Sequence, residues 1–328
     1  MTILWCGAED IDFPVNTPTQ DSSDRTGYSR TTINLYYGPS GYARSTLFPG
    51  GGVTTVWLSF RQINNPQSAV QLIAGLGDSD YHPRGIWLSS SAASDSCAAL
   101  YKYNGTTWTE LVAETGTALT GGWHKWDIFI DDYDPGGASR TVTAYRDGVL
   151  ILTYTGDLSM TGVTHFDCVH LGYTPNASVR VTEFIVADED TRSFSLVTLY
   201  PNAAGDANAW TGAYTDIDEV ATSDADLAYS NTGDQDMQMK VSGLPTGVFS
   251  VKAVMASARA YRDAGSTPDG LALGIRNGVG GSLDYGSKQT LTTAWTTYNR
   301  LMTVNPLTTG AWTPAEVEAV QLNLRAKT

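Results

Sequence analysis

The chain has few basic residues, with 20 Lys and Arg against 34 Asp and Glu, so its formal net charge is −14. A protein with this charge repels nucleic-acid phosphates and anionic lipid headgroups, which argues against both as main ligands. Charged residues make up only 16% of the 328 residues, while 41% are hydrophobic. This is the composition of a globular protein, because disordered chains combine high charge with low hydrophobicity.

Long hydrophobic runs are also missing. No segment approaches the roughly 18 apolar residues of a membrane-spanning helix, so we expect no membrane insertion. The opening MTILWCGAED lacks the basic residues that begin a secretory signal peptide and has only a short apolar stretch. These features predict synthesis in the cytoplasm.

Cysteine is scarce and unevenly placed. Cys6, Cys97 and Cys168 are odd in number and widely spaced, which excludes a disulfide framework and CxxC metal sites. His165, Cys168 and His170 form the pattern HxxCxH, which contains the residue types of a metal site. Side chains alternate along a strand, so Cys168 and His170 share one face and His165 points to the other. Because zinc requires converging ligands, we interpret these three as ordinary sheet residues.

Familiar catalytic motifs are absent. The sequence contains no GxSxG, HExxH or Walker pattern, and no strand carries an ExDxE-like run of carboxylates suited to glycoside hydrolysis. Glu183 is alone within its strand. The sequence therefore predicts a protein that is not an enzyme.

Two dipeptides mark β-hairpins. Asp147-Gly148 lies between alternating apolar runs in VTAYRDGVLILTY, and Asn104-Gly105 occupies the same position in LYKYNGTTWTEL. Both dipeptides favour type I′ turns, in which two central residues take positive φ. Two hairpins within one span of chain indicate antiparallel sheet.

The whole chain is predicted to be all-β. Strand-like runs bounded by turn residues recur up to residue 188, as in a many-stranded sandwich. Pro201, Gly205 and a loss of alternation mark a domain boundary near residue 196. Strands then resume, and Thr313-Pro314-Ala315-Glu316 predicts a short helix with a capping box. We expect two β-sandwiches, residues 1–196 and a smaller one over 197–328.

Aromatic residues are frequent, with 9 Trp and 17 Tyr. Sugar rings present apolar CH faces, which exposed Trp and Tyr bind well. Trp57, Trp123 and Trp126 are expected in the core. The candidates for glycan contact in the first domain are Tyr36, Tyr37, Tyr42, Tyr81, Trp87, Tyr101, Tyr103 and Trp108. An alternative stays open, in which many of these residues pack in the core or at subunit contacts.

Acidic clusters are the remaining candidates for ligand binding. Calcium prefers several hard oxygen ligands from loops, which makes Asp131, Asp132 and Asp134 weak calcium candidates. None of the acidic clusters has EF-hand spacing, and solvated turn carboxylates are the alternative interpretation. We expect no other cofactor.

Several stretches together resemble a known fold. GGWHKWDIFIDDY, TVTAYRDGVLILTYTGDL, HFDCVHLGY and VRVTEFIVADEDTR resemble the concanavalin A-like, or laminin-G-like, jelly roll. The segments ILWCGAEDIDFP, WTGAYTDIDE, GLALGIRNG, QTLTTAWTTYN and NPLTTGAWTPAEVEAVQLNLRA are similar to virion structural proteins of tailed bacteriophages and gene transfer agents. The resemblance implies a jelly roll over residues 1–196 and, over 197–328, a sandwich for assembly or carbohydrate binding.

This resemblance implies a role on the surface of a virion. The expected protein is a head spike or tail fibre component, made and assembled in the bacterial cytoplasm and forming a homotrimer. Its expected partners are capsid, fibre or baseplate proteins and host envelope polysaccharide. Two alternatives are a purely structural adaptor or decoration protein and a polysaccharide depolymerase. The motifs are those of a fold and supply no catalytic residues.

Overall fold

The chain forms two compact units, one ending at Leu196 and the other beginning at Val197. The computed structural model describes residues 3–7, 19–21, 32–34, 43–45, 47–48, 51–63, 72–81, 83–90, 97–115, 122–172, 180–218, 224–247 and 250–328. Within these ranges, no helix is long and apolar enough to cross a membrane.

The described part of the first unit is built from antiparallel strands. They are β1 (Ile3–Gly7), β2 (Thr19–Asp21), β3 (Thr32–Asn34), β4 (Ala43–Arg44), β5 (Val56–Ile63), β6 (Leu72–Gly77), β7 (Gly85–Ser90), β8 (Ala98–Tyr103), β9 (Trp108–Ala113), β10 (Trp123–Asp131), β11 (Ser139–Arg146), β12 (Val149–Asp157), β13 (Cys168–Leu171) and β14 (Arg180–Ala187).

These strands form two sheets that pack as a sandwich. One has the order β12, β11, β10, β5, β14, β3 and β2, with β1 also paired to β14. The other has the order β4, β13, β6, β7, β8 and β9. Side chains from both sheets share one buried core, including Phe60 and Trp126 from the first and Leu88 and Val169 from the second. The prediction of an all-β sandwich is confirmed.

Both predicted hairpins form, but only one has the predicted turn. Asp147 and Gly148 have φ of 51° and 79°, so the β11–β12 hairpin has positive φ at both central residues. Four residues separate β8 from β9, and of the Asn104-Gly105 dipeptide only Gly105 takes positive φ. The Asn104 carboxamide oxygen instead accepts hydrogen bonds from the amides of Thr106 and Thr107. The type I′ prediction is therefore wrong at Asn104, because its side chain closes a longer loop.

The second unit is also built from antiparallel strands. They are β15 (Pro201–Asn208), β16 (Asp236–Val241), β17 (Val254–Ala260), β18 (Gly270–Asn277), β19 (Leu283–Asp284), β20 (Lys288–Thr290), β21 (Thr296–Met302) and β22 (Val320–Lys327). One sheet has the order β15, β16, β22, β18 and β19, with β20 paired to β18, while β17 and β21 form a separate two-stranded sheet. A second core joins them, with Met239, Leu273 and Tyr298 among its members.

The predicted helix is confirmed as α1 (Pro314–Ala319). Thr313 is its N-cap, and the Thr313 hydroxyl accepts a hydrogen bond from the Glu316 amide at 3.2 Å. The Glu316 carboxylate in turn accepts one from the Thr313 amide at 2.8 Å. These reciprocal bonds satisfy two amides that the start of a helix leaves without partners.

Candidate functional site

The six-stranded sheet of the first unit has a second face, directed away from the core. Ile86 and Leu88 point into the core, so the alternation of a strand directs Trp87 to the opposite face. Following the pairing register sideways from Trp87 crosses all six strands through one row of residues. The row is Arg44, His170, Gly75, Trp87, Tyr101 and Glu110. We call this surface the outer face of the six-stranded sheet.

Trp87 is the centre of a buried aromatic cluster on this outer face. Its ring lies 5.5 Å from that of His170 and 5.7 Å from that of Trp108, which it meets nearly edge-on at 72°. The indole nitrogen donates to the carbonyl of Pro83 at 3.2 Å. Leu72, Ala99 and Tyr101 complete the buried part of the cluster. Trp87 and Tyr101 are therefore packed against protein.

The Tyr101 hydroxyl connects this cluster to the edge strand of the sheet. It donates a hydrogen bond to Glu110 Oε2 at 2.6 Å, and Glu110 is exposed on the edge strand β9. A short bond to a carboxylate is a strong one. It fixes the orientation of the Glu110 side chain beside the aromatic residues.

Tyr103 and Trp108 form the partly exposed end of the outer face. They are cross-strand partners, and their rings stack at 4.3 Å with an interplanar angle of 22°. The Tyr103 hydroxyl donates to the Gly105 carbonyl at 3.0 Å, which anchors the ring to the hairpin loop. Arg84 also lies against Gly105, where a Cβ would collide with its guanidinium. The result is a preformed aromatic surface next to a cation and a hydroxyl-rich loop.

At the other side of the row, Cys168 and His170 share one face of β13 as predicted, and this face belongs to the outer face of the sheet. The Cys168 Sγ lies 3.3 Å from His170 Nε2, and both side chains are buried. Burial raises the pKa of the Cys168 thiol well above its usual range, which disfavours the thiolate form. Gly77 is required beneath this pair, because a Cβ there would collide with the His170 ring. His165 makes other contacts: its Nδ1 lies 2.9 Å from the Thr164 hydroxyl and its Nε2 lies 4.0 Å from the Asp167 carboxylate.

The eight predicted glycan contacts fall into three groups. Tyr36, Tyr37 and Tyr42 lie outside the described residues, as does the side chain of Tyr81. The structure brings the other four together on the outer face, where two are buried and two partly exposed. The four are Trp87, Tyr101, Tyr103 and Trp108. Their contact with a glycan stays a prediction.

Sequence reasoning missed Glu110 and His170 as members of this face. The alternation in TTWTEL places Glu110 on the side of Trp108, and the alternation in CVHL places His170 with Cys168. Local alternation was thus a usable signal for each residue separately. It did not show that the strands carrying them belong to one sheet.

Of the three weak calcium candidates, Asp132 and Asp134 make turn or ion-pair contacts. A guanidinium nitrogen of Arg140 lies 3.3 Å from the Asp132 carboxylate and 3.9 Å from that of Asp134. Asp134 also accepts a hydrogen bond from the Gly136 amide at 2.8 Å, and Asp131 is exposed at the end of β10. Within the described ranges, no group of His, Cys, Asp or Glu could hold a metal ion.

Of the three tryptophans expected in the core, Trp126 and Trp57 are buried, and only Trp126 belongs to the core between the sheets. Trp126 is fully buried between the sheets. Trp57 is buried on the opposite face of the eight-stranded sheet, where it stacks on Phe129 at 4.6 Å. Trp123 is only half-buried. It lies three positions before Trp126 in β10, so strand alternation directs it away from the core.

Comparisons with solved structures cover little more than half of the chain. No family model matches the chain, and no curated protein matches it in sequence. A similar solved structure is the alginate lyase of Aplysia kurodai, which is 11% identical with a TM-score of 0.41, covering 57% of this chain and 99% of the enzyme. The endo-β-1,4-glucuronan lyase of Trichoderma reesei is 11% identical with a TM-score of 0.34, covering 57% and 95%.

A third similar structure is domain 4 of the arabinanase AbnA of Geobacillus stearothermophilus, in complex with arabinotriose. It is 17% identical, with a TM-score of 0.36, and the match covers 56% of this chain and 80% of that domain. These neighbours are β-sandwiches of the jelly-roll type. At such identities the likeness is one of fold and transfers no activity.

The prediction that the chain is not an enzyme is overturned by this finding. Two of the three neighbours described are polysaccharide lyases, so the structures similar to this chain include enzymes. The absence of hydrolase motifs gave no ground for excluding catalysis, because those motifs belong to other reactions.

Proposed function

We propose that the chain binds carbohydrate, and that Tyr103 and Trp108 on the outer face of the six-stranded sheet are the contact residues. The observation that carries the proposal is that their two rings stack and are partly exposed at one end of the outer face. A pyranose ring packs its CH face against such a surface and loses little entropy in doing so, since the rings are already held in place.

The groups around the pair supply the polar half of saccharide recognition. Glu110 is an exposed acceptor held by Tyr101, while Thr106 and Thr107 are exposed in the adjoining loop. Arg84 adds a guanidinium that donates to the carbonyl of Thr161 and lies against the same loop. Sugar hydroxyls need both donors and acceptors beside the apolar surface, and this end of the face offers both.

The experiment compares Trp108→Ala with Tyr229→Ala, a variant of an exposed tyrosine in the second unit. Binding is measured by affinity gel electrophoresis in neutral and uronic acid polysaccharides, and the same samples are assayed for chain cleavage. We expect Trp108→Ala to lose about tenfold in affinity and Tyr229→Ala to match the unaltered chain. Equal retardation of the two variants would overturn the assignment of Trp108.

We further propose that the chain acts on the surface of a tailed bacteriophage or gene transfer agent particle, as a head spike or tail fibre component. The sequence resemblance of segments in both units supports this placement. The proposed partners are further copies in a homotrimer, other virion proteins and host envelope polysaccharide, with assembly in the bacterial cytoplasm.

Competition tests the placement on a particle. An excess of the purified chain is expected to block adsorption of intact particles to their host cells. Adsorption that continues unchanged, with the chain folded and in its native oligomer, would contradict a receptor-binding role and support the structural adaptor instead.

A further inference from the structure

The second unit carries an exposed aromatic pair of its own. In the two-stranded sheet, Ala260 of β17 is paired with Thr296 of β21, and the next residues outward are Tyr261 and Trp295. Their ring centroids lie 4.3 Å apart at an interplanar angle of 51°, so the two rings form an open corner. Tyr261 is 37% exposed, and Trp295 is half-buried.

Hydrogen bonds hold the loop that carries Trp295 in one conformation. The Arg262 amide donates to the Thr292 carbonyl at 2.9 Å, and the Thr292 amide donates to the Tyr298 hydroxyl at 3.0 Å. The Thr292 hydroxyl donates to the carbonyl of Ala294 at 2.7 Å. The aromatic corner is thus preorganised, which lowers the entropy cost of binding a ligand against it.

A charged pair lies on the same face of the sheet. Arg259 precedes Tyr261 by two residues, and its guanidinium lies 5.8 Å from the Trp295 ring centroid. It donates two hydrogen bonds to the Asp224 carboxylate, at 2.6 and 2.9 Å. This bidentate pair places donors and acceptors beside the rings with no net charge.

Two polar side chains next to the corner lack partners among the described residues. Thr297 is the cross-strand partner of Arg259 and is only 9% exposed, yet its buried hydroxyl makes no hydrogen bond there. The carboxamide of Asn299, on the same face of β21, has both its nitrogen and its oxygen buried without a partner within those ranges. Such groups cost free energy until a ligand or water satisfies them.

We propose that Tyr261 and Trp295 form a second saccharide-binding site, specific for neutral pyranose units. One sugar face packs in the aromatic corner, while its hydroxyls bond to Arg259 and Asp224. Neutral sugars fit because Asp224 already balances the charge of Arg259, whereas a uronic acid carboxylate would compete with Asp224 for it. The site is separate from Tyr103 and Trp108, which belong to the other unit.

Affinity gel electrophoresis with dextran, laminarin and galactomannan as neutral probes, and alginate as the anionic probe, tests the second site. The variants are Trp295→Ala, Tyr261→Ala and the conservative Trp295→Phe, with Tyr229→Ala as the control in the same unit. At least one neutral probe is expected to retard the chain. We expect each alanine variant to lose about tenfold in affinity for that probe, and Trp295→Phe to keep most of it. Asp224→Asn changes a partly exposed side chain and is expected to weaken the same binding even where an aromatic variant fails to fold.

The outcomes separate this site from the one in the first unit. Binding that survives Trp108→Ala and falls with Trp295→Ala supports the second site, whatever happens to the first. Binding that falls with Trp108→Ala and is untouched by the variants of Tyr261, Trp295 and Asp224 overturns it and leaves the first site standing. Retardation by alginate alone, or by none of the probes, also overturns it.

Discussion

The Asp147 carboxylate accepts a hydrogen bond from His124 Nδ1 at 2.7 Å, which joins the tip of one hairpin to the start of the neighbouring strand. The other carboxylate oxygen accepts from the amide of Lys125 at 2.9 Å. Asp147 is therefore more than a residue that tolerates positive φ. It closes the β11–β12 turn and also fixes the start of β10.

Replacing Gly148, the second central residue of this turn, tests whether the turn requires a residue that tolerates positive φ. Gly148 has a φ of 79°, and no atom lies within 4 Å of where its Cβ would stand. Gly148→Val is therefore expected to destabilise the first unit by at least about 1 kcal/mol through backbone strain alone. Gly243→Val is the control, because Gly243 has equally open surroundings without positive φ. Equal unfolding midpoints for the two variants would show that the turn is not strained.

The pH dependence of stability tests the side chain of Asp147. Partial burial raises the pKa of Asp147, but hydrogen bonds from His124 and the Lys125 amide outweigh it, so the pKa lies below its usual value. The stabilisation is then present above the ordinary Asp pKa and is lost as the pH falls through the lowered one. Asp147→Asn keeps a turn-forming residue and should flatten this acid dependence in denaturant unfolding. A curve as steep as that of Asp226→Asn, a change at an exposed aspartate, would contradict the expected role.

A buried polar cluster ties the end of the first unit to its sheet. Lys125 Nζ donates to the carbonyls of Thr191 and Arg192 at 2.5 and 2.9 Å and lies 3.3 Å from Asp127. The Thr191 hydroxyl donates to Asp127 at 2.7 Å. Lys125→Met leaves Asp127 as a buried charge without its cation and is expected to cost about 3 kcal/mol or more.

The double variant Lys125→Met/Asp127→Asn is expected to recover part of that loss, because it removes the buried charge. Lys288→Met breaks a partly exposed ion pair with Asp269 and should change stability little. Unfolding by denaturant measures all three variants. A Lys125→Met variant no less stable than Lys288→Met would refute the role of the cluster.

Thiol chemistry tests the burial of the cysteines. Cys6, Cys97 and Cys168 are all free and buried. The folded chain is therefore expected to react very slowly with a disulfide reagent, and the denatured chain to release three equivalents promptly. Rapid reaction of a thiol in the folded chain would contradict the burial of that cysteine.

Much of the fold could be predicted because its signals are local. Asp147-Gly148 and the capping box at Thr313 each depend on a few neighbouring residues, and both form as expected. The turn at Asn104 could not be predicted, because its loop length depends on the register of β8 and β9. The orientation of Trp57 could not be predicted either, since either face of an alternating strand can become the core face.

Less of the candidate site could be predicted. Aromatic content pointed to the first unit, but not to which rings are exposed. The row through Arg44, His170 and Glu110 joins residues far apart in the sequence, and only the pairing of six strands brings them together. Local alternation assigns each residue to a face of its own strand. It does not assign the strands to a sheet.

Hydrogen–deuterium exchange of the whole chain, with and without a bound polysaccharide, tests the central claim most directly. Binding at the outer face of the six-stranded sheet predicts slower exchange of amides in β8, β9 and the loop between them, which carry Tyr103 and Trp108. Exchange in this hairpin that stays the same while polysaccharide is bound would contradict the claim.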